Sequence, residues 1–226
     1  MFDLFLPRRC PYCDRPMHPH EEEVCLSCLA RLPRVHAEAP GNEVENRLFG
    51  QFPFEHAASF CYYTPEGDFG SIIRRAKFGD KPWLNTQLTQ LFVKELQMSP
   101  DSGWPFDIDA IVPIPLHTWR LLSRGYNQSI AIAEALSQAW HLPLQTECLY
   151  KRRYTRSQIG LSGQERRKHE EGTFGVRHPE RLAHSHILLV DDVITTGATI
   201  TAAADALLAA APGIRISIIS LALAQS

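Results

Sequence analysis

The stretch Ile187 to Thr199, Ile-Leu-Leu-Val-Asp-Asp-Val-Ile-Thr-Thr-Gly-Ala-Thr, limits the folds open to this chain more than any other. Its branched apolar residues run without polar alternation, the pattern of a strand buried on both faces in a parallel sheet. The run ends in two adjacent carboxylates, Asp191 and Asp192. Small hydroxyl residues and Gly197 follow, and then the alanine-rich stretch Ile200 to Ala211, which reads as a helix. A tight turn between them falls at the carboxyl end of the strand, where open α/β sheets bind ligands.

The residue types in that turn define a chemistry. A helix N-terminus offers unpaired N–H groups and a partial positive charge, which suit a phosphate. Gly197 tolerates positive φ and lets the backbone approach an anion. Thr195, Thr196 and Thr199 add hydroxyl donors. Ionised Asp191 and Asp192 only accept hydrogen bonds, so they call for donors or a cation. Two sugar hydroxyls beside a phosphate satisfy the whole set. An ordinary strand, turn and helix with Thr199 as the N-cap would use the same residues without a ligand.

The stretch resembles the phosphoribosyl-diphosphate (PRPP) motif of type I phosphoribosyltransferases. The resemblance implies that Asp191 and Asp192, the catalytic pair, hold the ribose 2′- and 3′-hydroxyls. It implies that Thr195, Thr196, Gly197, Ala198 and Thr199 cradle the 5′-phosphate.

Four of the six cysteines fall in the first 28 residues, as Cys10-Pro-Tyr-Cys13 and Cys25-Leu-Ser-Cys28. Two C-x2-C pairs separated by eleven residues are close to zinc-ribbon spacing. Each pair is expected to form a hairpin knuckle, and four thiolates close a tetrahedral Zn2+ site with no open position. So short a segment buries little core, so metal binding must supply its folding energy, on the order of 10 kcal/mol. Two disulfides would use the same cysteines, but a reducing cytoplasm disfavours them. Redox chemistry needs only one C-x-x-C. Cys61 and Cys148 sit alone in apolar segments and read as small core residues.

The remaining chain divides accordingly. Residues 1–35 form the zinc-ribbon module and 36–56, with Ala39-Pro40-Gly41-Asn42, a linker or surface loop. Residues 57–226 alternate strands and helices, the signature of an α/β domain with a mainly parallel sheet flanked by helices. Strands are expected at 57–63, 108–114, 144–150, 173–176 and 214–222. Helices are expected at 69–78, at 82–97, and from an Asn127 cap to Trp140 with Ile130, Ala131, Ala135 and Leu136 on the buried stripe.

A second strand end feeds a basic loop and a helix start. Val112-Pro-Ile-Pro-Leu-His117, then Arg120, then Arg124-Gly-Tyr-Asn-Gln128 resemble the ComF/GntX family of bacterial proteins. These pair an N-terminal zinc ribbon with a phosphoribosyltransferase domain. The resemblance spans essentially the whole chain and includes Lys77-Phe78-Gly79-Asp80. It implies that the loop from Pro115 to Arg124, with Arg120 and Arg124, holds pyrophosphate with Mg2+. It also implies that the polar, basic segment 151–171 is a lid carrying Gln158 and Arg166, closing over PRPP to exclude water. Read from its residues alone, that segment is equally a solvated hairpin, or a contact for single-stranded nucleic acid with Tyr154 available for stacking.

Two functions follow. One is a Mg2+-dependent phosphoribosyltransferase acting on an unknown acceptor, a nucleobase among the candidates. The other is an adaptor in DNA uptake that uses the PRPP site as a sensor, with single-stranded DNA or DNA-uptake proteins as partners; the family is associated with competence and with external DNA as a nutrient. A net charge of −2 means that any nucleic-acid surface must be local. No apolar run approaches a membrane span, and Met1 to Leu6 is too short for a signal-peptide core, so a cytoplasmic location is the default expectation.

Overall fold

The computed structural model describes residues 8–10, 12–21, 24–36, 41–64, 83–99, 102–116, 125–152 and 172–225. In chain order its elements are α1 (Leu26–Ala30), α2 (Glu43–Leu48), β1 (Ala57–Tyr63), α3 (Trp83–Met98), β2 (Ala110–Pro113), α4 (Gln128–Trp140), β3 (Leu149–Lys151), β4 (Phe174–Val176), β5 (His186–Ile194), α5 (Ala198–Ala210) and β6 (Arg215–Ala224). The expected helix at 69–78 lies outside the described residues.

The central sheet is parallel throughout, in the order β1–β6–β5–β2. Ile187, Leu188, Leu189 and Val190 of β5 are fully buried because each face of the sheet is covered. Leu188 and Val190 join α3 and α4 in one core; Ile187 and Leu189 join α2 and α5 in the other. The chain reaches β5 from β2 by way of α4 and leaves through α5 to β6 on the far side. Before that, α4 leads from β2 outward to the Leu144 bridge, whereas α5 leads from β5 the opposite way to β6. The strand order therefore reverses between β2 and β5, and their carboxyl ends form the topological switch point.

Both sheet edges are closed by single bridges. Arg34 pairs antiparallel with Cys61 on the β1 side, and Leu144 pairs parallel with Ile111 on the β2 side. Such short additions leave little exposed edge to recruit another chain. They also explain how Pro113 sits inside β2. Ile111 N–H donates outward to Pro143 O and Ile114 N–H donates inward to Val190 O. Pro113, two residues after Ile111, thus turns its missing donor to the outer edge, where a proline is tolerated.

Three expectations change. The single strand expected over 144–150 is two pieces. Leu144 bridges to the main sheet, residues 146–148 bend, and Leu149–Lys151 pairs antiparallel with β4 in a separate two-stranded ribbon. On α4 the buried stripe is Ile132, Ala133, Ala135 and Leu136, while Ile130 and Ala131 are only half-buried. Apolar residues surround much of this helix, so periodicity left its rotation open and packing against α3 and the sheet decided it. Finally, part of the presumed linker 36–56 is the helix α2. Asn42 caps it, accepting from Val44 N–H and Glu45 N–H, and donates from its Nδ2 to Ala57 O. Val44 and Leu48 are fully buried one turn apart.

Candidate functional site

The turn at the switch point is Thr195–Gly197. Gly197 is the N-cap of α5, with φ of +85°. A Cβ there would lie 2.6 Å from Leu48 Cδ2, so glycine is favoured both for its backbone and because any side chain would have to displace Leu48. The helix starts at Ala198, so Thr199 lies inside its first turn and is not the N-cap. Thr196 Oγ1 stands 3.5 Å from Ala198 N–H.

Behind this turn stands α2. Arg47 Nη1 donates to Thr195 O at 2.8 Å and to Ala224 O at 3.0 Å. Gln51 Nε2 donates to Thr196 O at 3.2 Å and to Arg47 O at 2.7 Å. The Thr201 hydroxyl lies 2.9 Å from Gln51 Oε1 and 3.0 Å from Gly197 O.

The acids do not end the strand as expected. β5 continues through Asp191 and Asp192 to Ile194, with Asp191 opposite Ser220 and Val193 opposite Ala222. Around this level the two-residue alternation slips by one. Phe60 and Cys61 join the same core, as do Leu221 and Ala222. Both carboxylates stay half-buried. Asp191 Oδ1 accepts from Asp192 N–H at 2.9 Å and from Ser129 Oγ at 3.2 Å.

Ser129 brings the start of α4 to the acids. Asn127 Oδ1 accepts from Ser129 N–H at 3.1 Å, and Asn127 Nδ2 donates to Ile114 O at 3.0 Å. Asn127 therefore caps α4 as expected and also ties the end of β2 to the helix start. The loop between them leaves and returns at one neck beside Asp191. Arg120 and Arg124 of that loop, and Gln158 and Arg166 of the basic segment, lie outside the described residues.

The four cysteines come together, with every pair of sulfurs within 4.8 Å and Cys13 Sγ to Cys25 Sγ at 3.6 Å. Four thiolates at tetrahedral Zn–S distances stand roughly 3.8 Å apart, so the set fits that ion. The first pair lies in a hairpin knuckle, where Cys10 N–H donates to Arg15 O and Asp14 N–H to Cys10 O. The second pair is not a knuckle. Cys25 is the N-cap of α1 and Cys28 lies within it. Buried Glu21 joins the halves, accepting from His18 N–H at 2.7 Å and Leu26 N–H at 2.8 Å, and these bonds lower its pKa. Burial pushes the Cys25 and Cys28 thiols up. At Cys13 burial acts in the same direction, but hydrogen bonds from the Arg15 side chain and backbone outweigh it and bring the thiol to about 6.

The model of the phosphoribosyl transferase domain family matches residues 127–225, from the Asn127 neck through the acids and the glycine turn to β6. Competence protein F of Haemophilus influenzae is 26% identical over 212 residues, covering 87% of this chain and 89% of that protein. DNA utilization protein YhgH of Escherichia coli K12 is 28% identical over 200 residues, covering 88% and 83%. Competence protein ComFC of Bacillus subtilis is 28% identical over 203 residues, covering 88% and 71%. The chain is a homologue of these competence and DNA-utilization proteins and carries a phosphoribosyl transferase domain.

The acids, the glycine turn and the Asn127 neck share the carboxyl edge of β5 and β2. The four cysteines form their own cluster, and Cys10, Cys25 and Cys28 belong to the same core as Phe60 and Leu88. Sequence reading missed three residues around the site: Arg47, Gln51 and Ser129. For the first two a signal existed, since Asn42-x-x-Glu45, with Val44 and Leu48 four residues apart, is a helix-start signature. No helix among the described residues is long and apolar enough to cross a membrane.

Proposed function

We propose that the chain binds PRPP with Mg2+ at the carboxyl end of β5 and transfers its phosphoribosyl group to an acceptor, in the service of DNA uptake or the use of external DNA. One observation carries the reading: two half-buried carboxylates stand directly ahead of a turn whose glycine is held at positive φ, beside the neck of a second loop at the same edge. In this reading Asp191 and Asp192 fix the ribose diol, and Thr195 to Thr199 hold the 5′-phosphate. The acceptor forms its bond to the anomeric carbon as the bond to the pyrophosphate oxygen breaks, and pyrophosphate leaves with the electron pair. Charge builds on the ribose ring and on the leaving group, so the protein's task is to position and neutralise. Mg2+, when bound, would supply neutralising charge to pyrophosphate; Arg120 and Arg124 are the proposed protein partners of the pyrophosphate, and Gln158 and Arg166 belong to the proposed lid. The cysteine cluster is read as a structural Zn2+ site within module 1–35, ahead of a transferase domain spanning 57–226.

Calorimetric titration with PRPP and Mg2+ tests this. The wild type binds, and the Asp191→Asn/Asp192→Asn variant does not. Failure of the folded, zinc-loaded wild type to bind PRPP would overturn the proposal.

A second reading draws on the relatives' names, which refer to competence and DNA utilization rather than to a nucleotide product. It makes the chain a DNA-handling adaptor that uses PRPP as a signal. Steeply salt-dependent binding of single-stranded DNA, without pyrophosphate release on any nucleobase, would favour it.

A further inference from the structure

We infer that Arg47 and Gln51, on and just beyond α2, are positioning residues that aim the turn's N–H groups at the phosphate end of the PRPP site; the inference rests on the reading above. In a planar trans peptide the C=O of one residue and the N–H of the next point in opposite directions. Arg47 holds Thr195 O and Gln51 holds Thr196 O, both from behind the turn. The N–H groups of Thr196 and Gly197 are thereby turned away from α2, and the positive ends of both peptide dipoles face the same way. A phosphate gains from donors fixed before it arrives, because they need no reorganisation.

The support is itself anchored. Val44 and Leu48 are fully buried, Asn42 ties the start of α2 to Ala57 O, and Arg47 also holds Ala224 O at the end of β6. Leu48 closes the space beneath Gly197, so the turn cannot sink toward the helix. Gln51 is braced in turn by the Thr201 hydroxyl of α5. Neither side chain needs to touch the ligand; each acts through a carbonyl.

The test separates the two ends of PRPP. Wild type, Gln51→Met and Arg47→Lys, all as the full zinc-loaded chain, are titrated calorimetrically with ribose 5-phosphate and, separately, with pyrophosphate and Mg2+. Gln51→Met keeps neutrality and length, and Arg47→Lys keeps the charge, so neither alters the net field at the site. Loss of an aimed donor is expected to weaken ribose 5-phosphate binding by about tenfold. Pyrophosphate binding is expected to stay unchanged, and each variant supports the inference independently of whether the other folds. Variants that bind ribose 5-phosphate as the wild type does overturn the inference, as do variants that lose both ligands equally; the PRPP reading survives either result. A wild type that binds neither ligand overturns the PRPP reading and the inference with it.

Discussion

Replacing Gly197 by alanine tests the turn and its support together. At φ of +85° an L-residue pays roughly 1–2 kcal/mol for left-handed backbone. Alanine recovers about 0.4–1 kcal/mol of that by restricting the unfolded chain. The new methyl carbon would stand 2.6 Å from Leu48 Cδ2, and Leu48 is fully buried, so its side chain must shift within the packed core to admit it. Overpacking of this kind costs about 1–3 kcal/mol. Together these give a loss of roughly 1–4.5 kcal/mol, readable as a shift of the urea midpoint at unchanged slope. A cycle with Leu48→Ala divides the sum. The single Leu48→Ala change costs about 2–5 kcal/mol, but in its background Gly197→Ala meets no clash and keeps only the backbone part. A favourable coupling of about 1–3 kcal/mol is expected. Independent, additive effects would show that α2 does not bear on the turn, and a Gly197→Ala protein as stable as wild type would remove the whole argument.

Chelation of the cysteine cluster, or Cys28→Ser, is expected to lower the unfolding temperature of the whole chain by at least about 5 °C. The reason is that Cys10, Cys25 and Cys28 share a core with Phe60, Leu88 and Ile111. A calorimetric scan with one early transition and a second, unshifted one would instead mean a detachable module. At the opposite edge of the sheet, Arg215 and then His186 hold the Asp107 carboxyl well below the usual carboxylate range. Its folded value lies below its unfolded value, so its contribution is complete above about pH 4 and is lost as pH falls from there toward the folded value. Asp107→Asn should therefore flatten the fall of the urea midpoint below that pH and leave neutral-pH ligand binding unchanged. An acid limb as steep in the variant as in the wild type would refute the assignment.

The strand-and-turn half of the candidate site was readable because it is contiguous. A strand buried on both faces shows as Ile187 to Val190, and the acids and the glycine follow within a few residues. The strand's true end was not readable, since aspartates seldom continue a strand, yet β6 pairs with β5 as far as Ile194. Nor was the bend within 144–150, where Cys148 and Leu149 kept the apolar pattern running past Thr146 and Glu147. α2 was obscured by Ala39-Pro40-Gly41 and by the charges of Glu43, Glu45 and Arg47, which outweighed one buried turn formed by Val44 and Leu48.

These failures have a common physical origin. A group that binds a ligand must be of a particular chemical type, so it leaves a mark in sequence. A group that holds a backbone carbonyl need only be a donor at the right place, and that place is set by the fold. Arg47 meets Thr195 across 148 positions, Gln51 meets Thr196 across 145, and Ser129 meets Asp191 across 62. An arginine and a glutamine in a polar stretch are otherwise unremarked surface residues. Only after β6 has placed its carboxyl end beside α2 does Arg47 have two carbonyls, Thr195 O and Ala224 O, within reach of one nitrogen. The chemistry of the site is therefore local while its rigidity is not, and substitutions in α2 should alter ligand affinity even though no residue of that helix belongs to the motif.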